Sequence, residues 1–164
     1  MSPINWPNIT RRPELVKSDY GTTGHEDPLR IFGQEIYLKV IGPQTGGLWS
    51  MIEQVTPPGG GPPFHRHSRE DEGFRIMEGK FLFVVGEEKI EADTGDFVWA
   101  PRDIPHTLVN VGSTPARALV VMSPPGMEDF FLKVAALPAP PDLAAIGQLF
   151  VDFGIELLGP PLTV

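Results

Sequence analysis

Glycine and proline punctuate this sequence along its whole length, with 18 glycines and 19 prolines among 164 residues. They are spread between short apolar stretches and are not gathered into one linker, which is the spacing of an all-β chain. The stretches that predict strands are residues 35–42, 47–57, 73–78, 80–86, 88–92, 96–101, 106–111 and 116–123. Eight short strands separated by turn residues predict a jelly roll or barrel.

The periodicity changes after Pro124, where apolar residues begin to recur at the i, i+3, i+4 spacing of an amphipathic helix. The two sets are Met127, Phe130, Phe131 and Val134, then Leu143, Ile146, Leu149, Phe150 and Phe153. Asp142 stands at the N-cap position of the second set. We therefore predict two helices that pack on the outside of the barrel. The predicted division is an N-terminal extension over 1–34, a barrel over 35–124 and a helical C-terminal extension over 125–164.

Composition narrows the chemistry that the chain can perform. Cysteine is absent, which excludes a disulfide framework, a thiolate metal site and a cysteine nucleophile. The formal charge of −8 repels phosphate backbones and anionic headgroups, so nucleic acid and membrane partners are disfavoured. The longest apolar runs have the length of strands, and no apolar segment of signal-peptide length stands near the N-terminus. We expect one cytoplasmic globular domain.

Two of the four histidines, His65 and His67, lie one residue apart. Side chains alternate along a strand, so these rings point to the same face and can share one ion. Glu72 has the wrong parity for a continuous strand, so the chain must turn or bulge at residues 68–71 to aim it at the same ion. His106 would arrive from a distant strand. Three imidazoles and one carboxylate predict a site for one divalent transition metal, namely Fe, Mn, Ni, Cu or Zn.

Two motifs around these residues resemble those of the cupin superfamily. The first is matched by Gly59, His65, His67, Glu72 and Gly79, and the second by Gly95, Pro101, His106 and Asn110. Asp103 stands where the family usually has glycine, but aspartate tolerates left-handed backbone better than most residues, so we expect the turn to survive. Over residues 30–162, the chain also resembles bacterial single-domain cupins similar to quercetin 2,3-dioxygenase.

The resemblance implies a cupin jelly-roll barrel and a quercetinase-like dioxygenase reaction on a flavonol-like substrate. Glu72 would be both a metal ligand and the catalytic base that takes the proton of the substrate hydroxyl. A divalent ion with three neutral imidazoles and one carboxylate carries a net charge of about +1, which favours an enolate or phenolate oxygen. Parity places Phe74 on the pocket wall if Glu72 faces inward. The expected partners are an enolisable or phenolic small molecule and O2.

Other functions fit the same four residues. A metal-dependent isomerase or decarboxylase would use the site without O2, and a non-catalytic cupin would use the pocket to bind a small ligand. We expect no role for His25, and Glu70 and Asp71 have the pattern of a solvent-facing charge run.

A single barrel of this size leaves sheet edges and an apolar outer face that need cover, so we expect a homodimer. Segment 35–42 is the candidate contact, with Ile36, Leu38 and Val40 on one face. A two-fold arrangement would make that contact self-complementary.

Overall fold

The computed structural model describes residues 27–138, 140 and 142–163, which form two antiparallel sheets and two helices, with strands numbered along the chain. The first sheet has the order β1 (Leu29–Ile31), β2 (Gln34–Val40), β3 (Ser50–Thr56), β10 (Ala116–Ser123), β5 (Asp71–Glu78) and β8 (Phe97–Ala100). The second has the order β11 (Ile155–Pro161), β4 (Pro63–His67), β9 (His106–Asn110), β6 (Lys80–Val85) and β7 (Glu88–Asp93). The helices are α1 (Met127–Ala135) and α2 (Leu143–Asp152). The predicted all-β jelly roll with two C-terminal helices is confirmed.

The two sheets pack their apolar faces against each other. Along β10, every second residue from Ala116 to Met122 is buried, and the residues between them are more exposed. Phe74 of β5 meets Phe83 of β6 from the opposite sheet, with the ring centroids 5.3 Å apart. Burial of such side chains is the largest favourable term in folding. Strand alternation therefore creates the core.

All eight predicted strands are present, but β1, β4 and β11 lie outside the predicted set. The histidine motif indicated an extended segment at residues 65–67, and β4 extends that segment back to Pro63. Strand β11 follows α2 and pairs with β4, so the segment predicted as a helical C-terminal extension also supplies a sheet edge. Strand β1 pairs with β2, so the last part of the predicted N-terminal extension belongs to the sheet as well.

Two hydrogen bonds and one ring contact fix the positions of the two helices. The Asp142 side chain accepts a hydrogen bond from the backbone N–H of Ala144 at 2.9 Å, so the predicted N-cap is confirmed. Buried Glu128 of α1 accepts from the backbone N–H of Gly42 at 2.7 Å, which ties α1 to the loop after β2. The two helices meet through the rings of Phe130 and Phe150, with centroids 5.2 Å apart. Neither of these described helices is long and apolar enough to span a bilayer.

The face of β2 that was predicted to contact a second copy lies inside the barrel. Ile36 is only 3% exposed and belongs to the core, and Leu38 packs against that core. Ile36 therefore cannot form the predicted contact, whereas Leu38 and Val40 are partly exposed. Alternation identifies residues that share a face and does not say which face is outside. The homodimer itself stays a prediction.

Two glycines give a matched test of this packing. A Cβ at Gly61 would lie 1.9 Å from the backbone oxygen of Leu108, whereas a Cβ at Gly147, inside α2, meets nothing within 4 Å. Gly61→Ala should lower the free energy of unfolding by about 2 kcal/mol, because β9 must shift. Gly147→Ala should raise it by roughly 0.5–1 kcal/mol, because alanine favours the helix.

Urea unfolding followed by circular dichroism measures both changes. Equal stability of the Gly61→Ala variant and the parent would contradict the close approach of residue 61 to β9.

Candidate metal centre and its cavity

Four side chains from the two sheets meet inside the barrel. His65 and His67 come from β4, His106 begins β9, and Glu72 comes from β5 in the other sheet. Their ligand atoms all lie within 4.8 Å of one another. The structure therefore brings together the four residues that the motif spacing singled out.

Strand pairing aims the two neighbouring histidines inward. His65 lies directly opposite His106 in the register between β4 and β9. The Nε2 atoms of His65 and His67 are 3.0 Å apart, as expected for two residues on the same face of a strand. Arg66 lies between them in sequence, points away and pairs with Glu156 of β11.

Glu72 points inward because the chain turns between β4 and β5. Residues 68–70 form this connection, which interrupts the strand and changes its parity. The backbone N–H of Ser68 donates to the oxygen of Gly154 at 2.9 Å, which holds the connection against the end of α2. The predicted turn is confirmed, although it ends one residue earlier than the predicted range.

The loop before His106 is hydrogen-bonded to Asp71 and to the backbone of His67. Arg102 donates to the carboxylate of Asp71 from its backbone nitrogen at 2.9 Å and from Nη2 at 2.7 Å, so Asp71 is ion-paired and not simply solvated. The backbone N–H of Asp103 donates to the oxygen of His67 at 2.7 Å. Asp103 has a φ of 64°, in the left-handed region. The turn therefore accommodates aspartate and leads directly into His106.

The rings of His65 and His106 are held from behind through Nδ1. His65 Nδ1 lies 2.7 Å from the oxygen of Pro63, and His106 Nδ1 lies 3.0 Å from the oxygen of Ile104. A carbonyl oxygen can only accept, so each Nδ1 carries a proton. In the neutral ring, each Nε2 then presents a lone pair to the centre of the cluster.

A buried carboxylate lies beside the His67 ring without the alignment of a hydrogen bond. Its Nδ1 lies 3.4 Å from Oε2 of Glu70, and neither atom has a closer polar partner among the described residues. Glu70 is only 3% exposed, so the expectation that it faces solvent is wrong. Carboxylates that accept the second N–H of a ligating histidine are common behind metal sites, where they orient the ring and raise its basicity.

The electrostatics of the cluster favour a cation at its centre. His106 Nε2 lies 2.8 Å from Oε2 of Glu72, and His67 Nε2 lies 3.5 Å from the same oxygen. Burial alone would raise the pKa of Glu72, but the three imidazoles lower that pKa to about 2. Burial, together with the rings of His106 and His67, lowers the pKa of His65 to about 3. An ionised carboxylate and a neutral imidazole are the states in which these groups bind metal.

For His67, burial has less effect on the pKa than the nearby carboxylates have together. Burial alone would lower its pKa, but the carboxylates of Glu72 and Glu70 together raise it. Without a metal ion, His67 therefore holds a proton more tightly than a free imidazole, and metal binding must displace that proton. The donor set, three imidazole nitrogens and one carboxylate oxygen, fits a divalent transition metal.

A largely apolar cavity extends from the cluster into the barrel. The four clustered side chains form part of its wall, and Phe74 lies on the wall as predicted. Phe130, Phe131 and Phe150 line it from the two helices. The described residues that line the cavity include no lysine or arginine. Away from the clustered side chains, the wall therefore favours uncharged and mainly apolar groups.

Residues 52–122 match the sequence model of the family described as "Cupin domain". An uncharacterized protein of Methanocaldococcus jannaschii is 33% identical over 76 residues, which cover 46% of this chain. The match spans 61% of the length of that relative. Residues 52–122 include all four clustered side chains, His65, His67, Glu72 and His106.

Solved structures share the same architecture. A predicted oxalate decarboxylase from Thermotoga maritima superimposes with a TM-score of 0.57 and 21% identity, covering 59% of this chain and 91% of the other. The polyketide cyclase RemF from Streptomyces resistomycificus gives a TM-score of 0.50 and 21% identity, covering 62% and 73%. The barrel has the cupin fold. At these identities the likeness establishes the fold of this chain and not its reaction.

Sequence reasoning missed three polar residues of this region. Glu70 belongs to an acidic run, and only its proximity to His67 in the folded chain distinguishes it from the other acidic residues of that run. Gln34 and Gln54 line the cavity. A signal for Gln54 existed, because it occupies an inward position of β3, two residues after Ile52.

The cluster makes a direct prediction about metal content. Changing His65, His67 or His106 singly to alanine should lower bound divalent metal sharply, because each change removes one of four ligands. Elemental analysis of freshly purified protein measures the effect, with His25→Ala as the matched histidine control; His25 lies outside the described residues. Parent-level metal in the His65 and His67 variants would contradict the assignment.

Glu70 predicts a smaller effect of a different kind. Glu70→Ala should weaken metal affinity by about 10- to 100-fold, because the His67 ring loses the carboxylate beside its Nδ1. Glu70→Gln should retain more of the affinity, since an amide oxygen can still accept. Competition with a chelator measures affinity, and exposed Glu87 changed to alanine controls for the lost charge. An effect equal to that of Glu87→Ala would exclude Glu70 from holding the ring.

Proposed function

We propose that this cupin is a metal-dependent oxidoreductase, a dioxygenase that cleaves an enolisable or phenolic, flavonol-like small molecule. One divalent transition metal would be held by His65, His67, Glu72 and His106. The observation that carries the proposal is the position of this cluster in the wall of an otherwise apolar and aromatic cavity. Such a cavity removes an aromatic ligand from water, and its few polar groups orient the ligand.

The charges around the cluster support an acidic hydroxyl as the group that binds there. A divalent ion with three neutral imidazoles and one carboxylate has a net charge of about +1, which attracts an enolate or phenolate oxygen. Apart from the clustered histidines, the described residues of the cavity wall include no lysine or arginine to pair with a second negative charge. A neutral molecule with one ionisable hydroxyl therefore fits better than a dicarboxylate or a phosphate ester.

Glu72 is the catalytic base in this proposal. Its side chain belongs to both the cluster and the cavity wall. Because the neighbouring imidazoles lower its pKa to about 2, it is ionised at neutral pH and can accept a proton. That low pKa also makes it a weak base. Proton transfer to Glu72 therefore requires a hydroxyl that nearby positive charge has already made acidic.

The remaining residues would position and protect the ligand. When bound, the metal would supply Lewis-acid and redox chemistry. The backbone oxygens of Pro63 and Ile104 keep two Nε2 lone pairs aimed inward. Phe74 and the aromatic rings of the two helices would exclude water from the bound ligand.

Two alternatives use the same residues without oxygen. The structural neighbours above are named as a predicted oxalate decarboxylase and a polyketide cyclase, so the fold hosts chemistry other than dioxygenation. A metal-dependent isomerase or decarboxylase would turn over without O2, and a ligand-binding cupin would not turn over at all. Oxygen dependence therefore separates the three.

The proposal is tested by anaerobic binding followed by admission of oxygen. Metal-loaded protein is mixed with 3-hydroxyflavone or quercetin, and the flavonol absorbance is followed together with an oxygen electrode. We expect saturable binding without oxygen, then loss of flavonol matched by O2 consumption. Conversion without O2 would instead support an isomerase or decarboxylase, and binding with no conversion would support a non-catalytic cupin.

Glu72→Gln supplies the internal control for that experiment. It should retain the fold and much of the metal, since an amide oxygen can occupy the ligand position, but it should lose turnover because it cannot take a proton. Turnover within about threefold of the parent would remove Glu72 from the role of base.

A further inference from the structure

A buried polar cluster stands in the first sheet, away from the metal ligands. Gln54 Nε2 donates to Gln34 Oε1 at 2.6 Å and lies 3.1 Å from Thr56 Oγ1. The Thr56 hydroxyl donates to the same Gln34 oxygen at 3.0 Å. All three side chains are at most 7% exposed, and Gln34 and Gln54 line the cavity.

One donor group and one acceptor atom of this amide pair have no partner among the described residues. The Nε2 group of Gln34 and the Oε1 atom of Gln54 make no hydrogen bond to any described residue. Rotating both amides by half a turn exchanges these roles but still leaves one N–H donor group and one carbonyl acceptor free. Both residues line the cavity, where a free donor and a free acceptor can bond to a polar group of a ligand.

The register of β10 gives the separation along the sheet between Gln54 and Glu72. Glu72 is in register with Met122 of β10, and Gln54 is in register with Ala118 of the same strand. Four residues of strand correspond to roughly 13 Å. Apolar walls, including Ile52, lie between the two ends. The cavity therefore has one end built for a metal-associated oxygen and a second end built for hydrogen bonding.

We propose that Gln34 and Gln54 recognise a neutral hydroxyl or carbonyl group at the far end of the substrate. The substrate class is then an extended, uncharged aromatic enol or phenol that carries a second polar group at the end remote from its acidic hydroxyl. A charged group at that end is disfavoured, because an amide pair cannot neutralise it and the described wall has no lysine or arginine. The identity of the first end rests on the proposed function, whereas the second end rests on the amide pair alone.

A matched pair of flavonols tests the second end. Both compounds carry the acidic 3-hydroxyl, and 3-hydroxyflavone lacks the four other hydroxyl groups of quercetin, two on each outer ring. The parent, metal-loaded and anaerobic, should bind quercetin about tenfold more tightly than 3-hydroxyflavone, which corresponds to about 1.4 kcal/mol. The double variant Gln34→Met/Gln54→Met should lose this preference and change its affinity for 3-hydroxyflavone by less than about threefold.

Controls keep the outcome unambiguous. Gln148→Met, on the exposed face of α2, should retain the tenfold preference. If the double variant does not fold, Gln34→Met alone carries the test and should lower the preference to about threefold. Equal binding of the two flavonols by the parent, or an unchanged preference in a folded double variant, would overturn the amide assignment. Binding with the expected preference but no O2 consumption would overturn only the dioxygenase proposal, and absence of binding by either flavonol would overturn both.

Discussion

Two backbone carbonyls determine what the centre of this barrel can hold. The oxygens of Pro63 and Ile104 accept the Nδ1–H of His65 and His106, so the Nε2 lone pairs of both rings point at one spot. Glu72 brings an ionised carboxylate to the same spot from the opposite sheet. Nitrogen lone pairs and a carboxylate repel one another unless positive charge lies between them. The jelly-roll pairing that assembles the cluster therefore also favours positive charge at its centre, which a proton on His67 or a metal ion can supply.

The two sheets have different tasks around this centre. The second sheet supplies the histidines, because β4 and β9 lie side by side with His65 opposite His106. The first sheet supplies Glu72 and also the wall that leads away from it, since β10 joins β5 to β3. The helices close the remaining side with aromatic rings. The two ends of the cavity therefore differ, with the clustered histidines and Glu72 at one end and the amide pair farther along the wall.

Three neighbouring acidic residues show how closely burial depends on tertiary contacts. Glu70, Asp71 and Glu72 are consecutive, yet Glu70 lies behind His67, Asp71 pairs with Arg102, and Glu72 faces the cavity. Their side chains differ little, so local sequence could not separate them. The turn after β4, together with the loop that presents Asp103 in a left-handed conformation, assigns each carboxylate its partner.

The sequence by itself determined eight of the eleven described strands, the two helices and the four clustered residues, because alternation, helical periodicity and the spacing of His65, His67, Glu72 and His106 are local or motif properties. It could not determine the orientation of β2, since a period of two is the same whichever face is buried. It also could not identify β11 as a strand, because Ile155–Pro161 becomes extended by pairing with β4. The role of Glu70 and the pairing of Gln34 with Gln54 depend on residues from different strands or turns meeting in space. Only the tertiary structure decided these contacts, because hydrogen bonding and burial depend on distance in the folded chain and not on position along it.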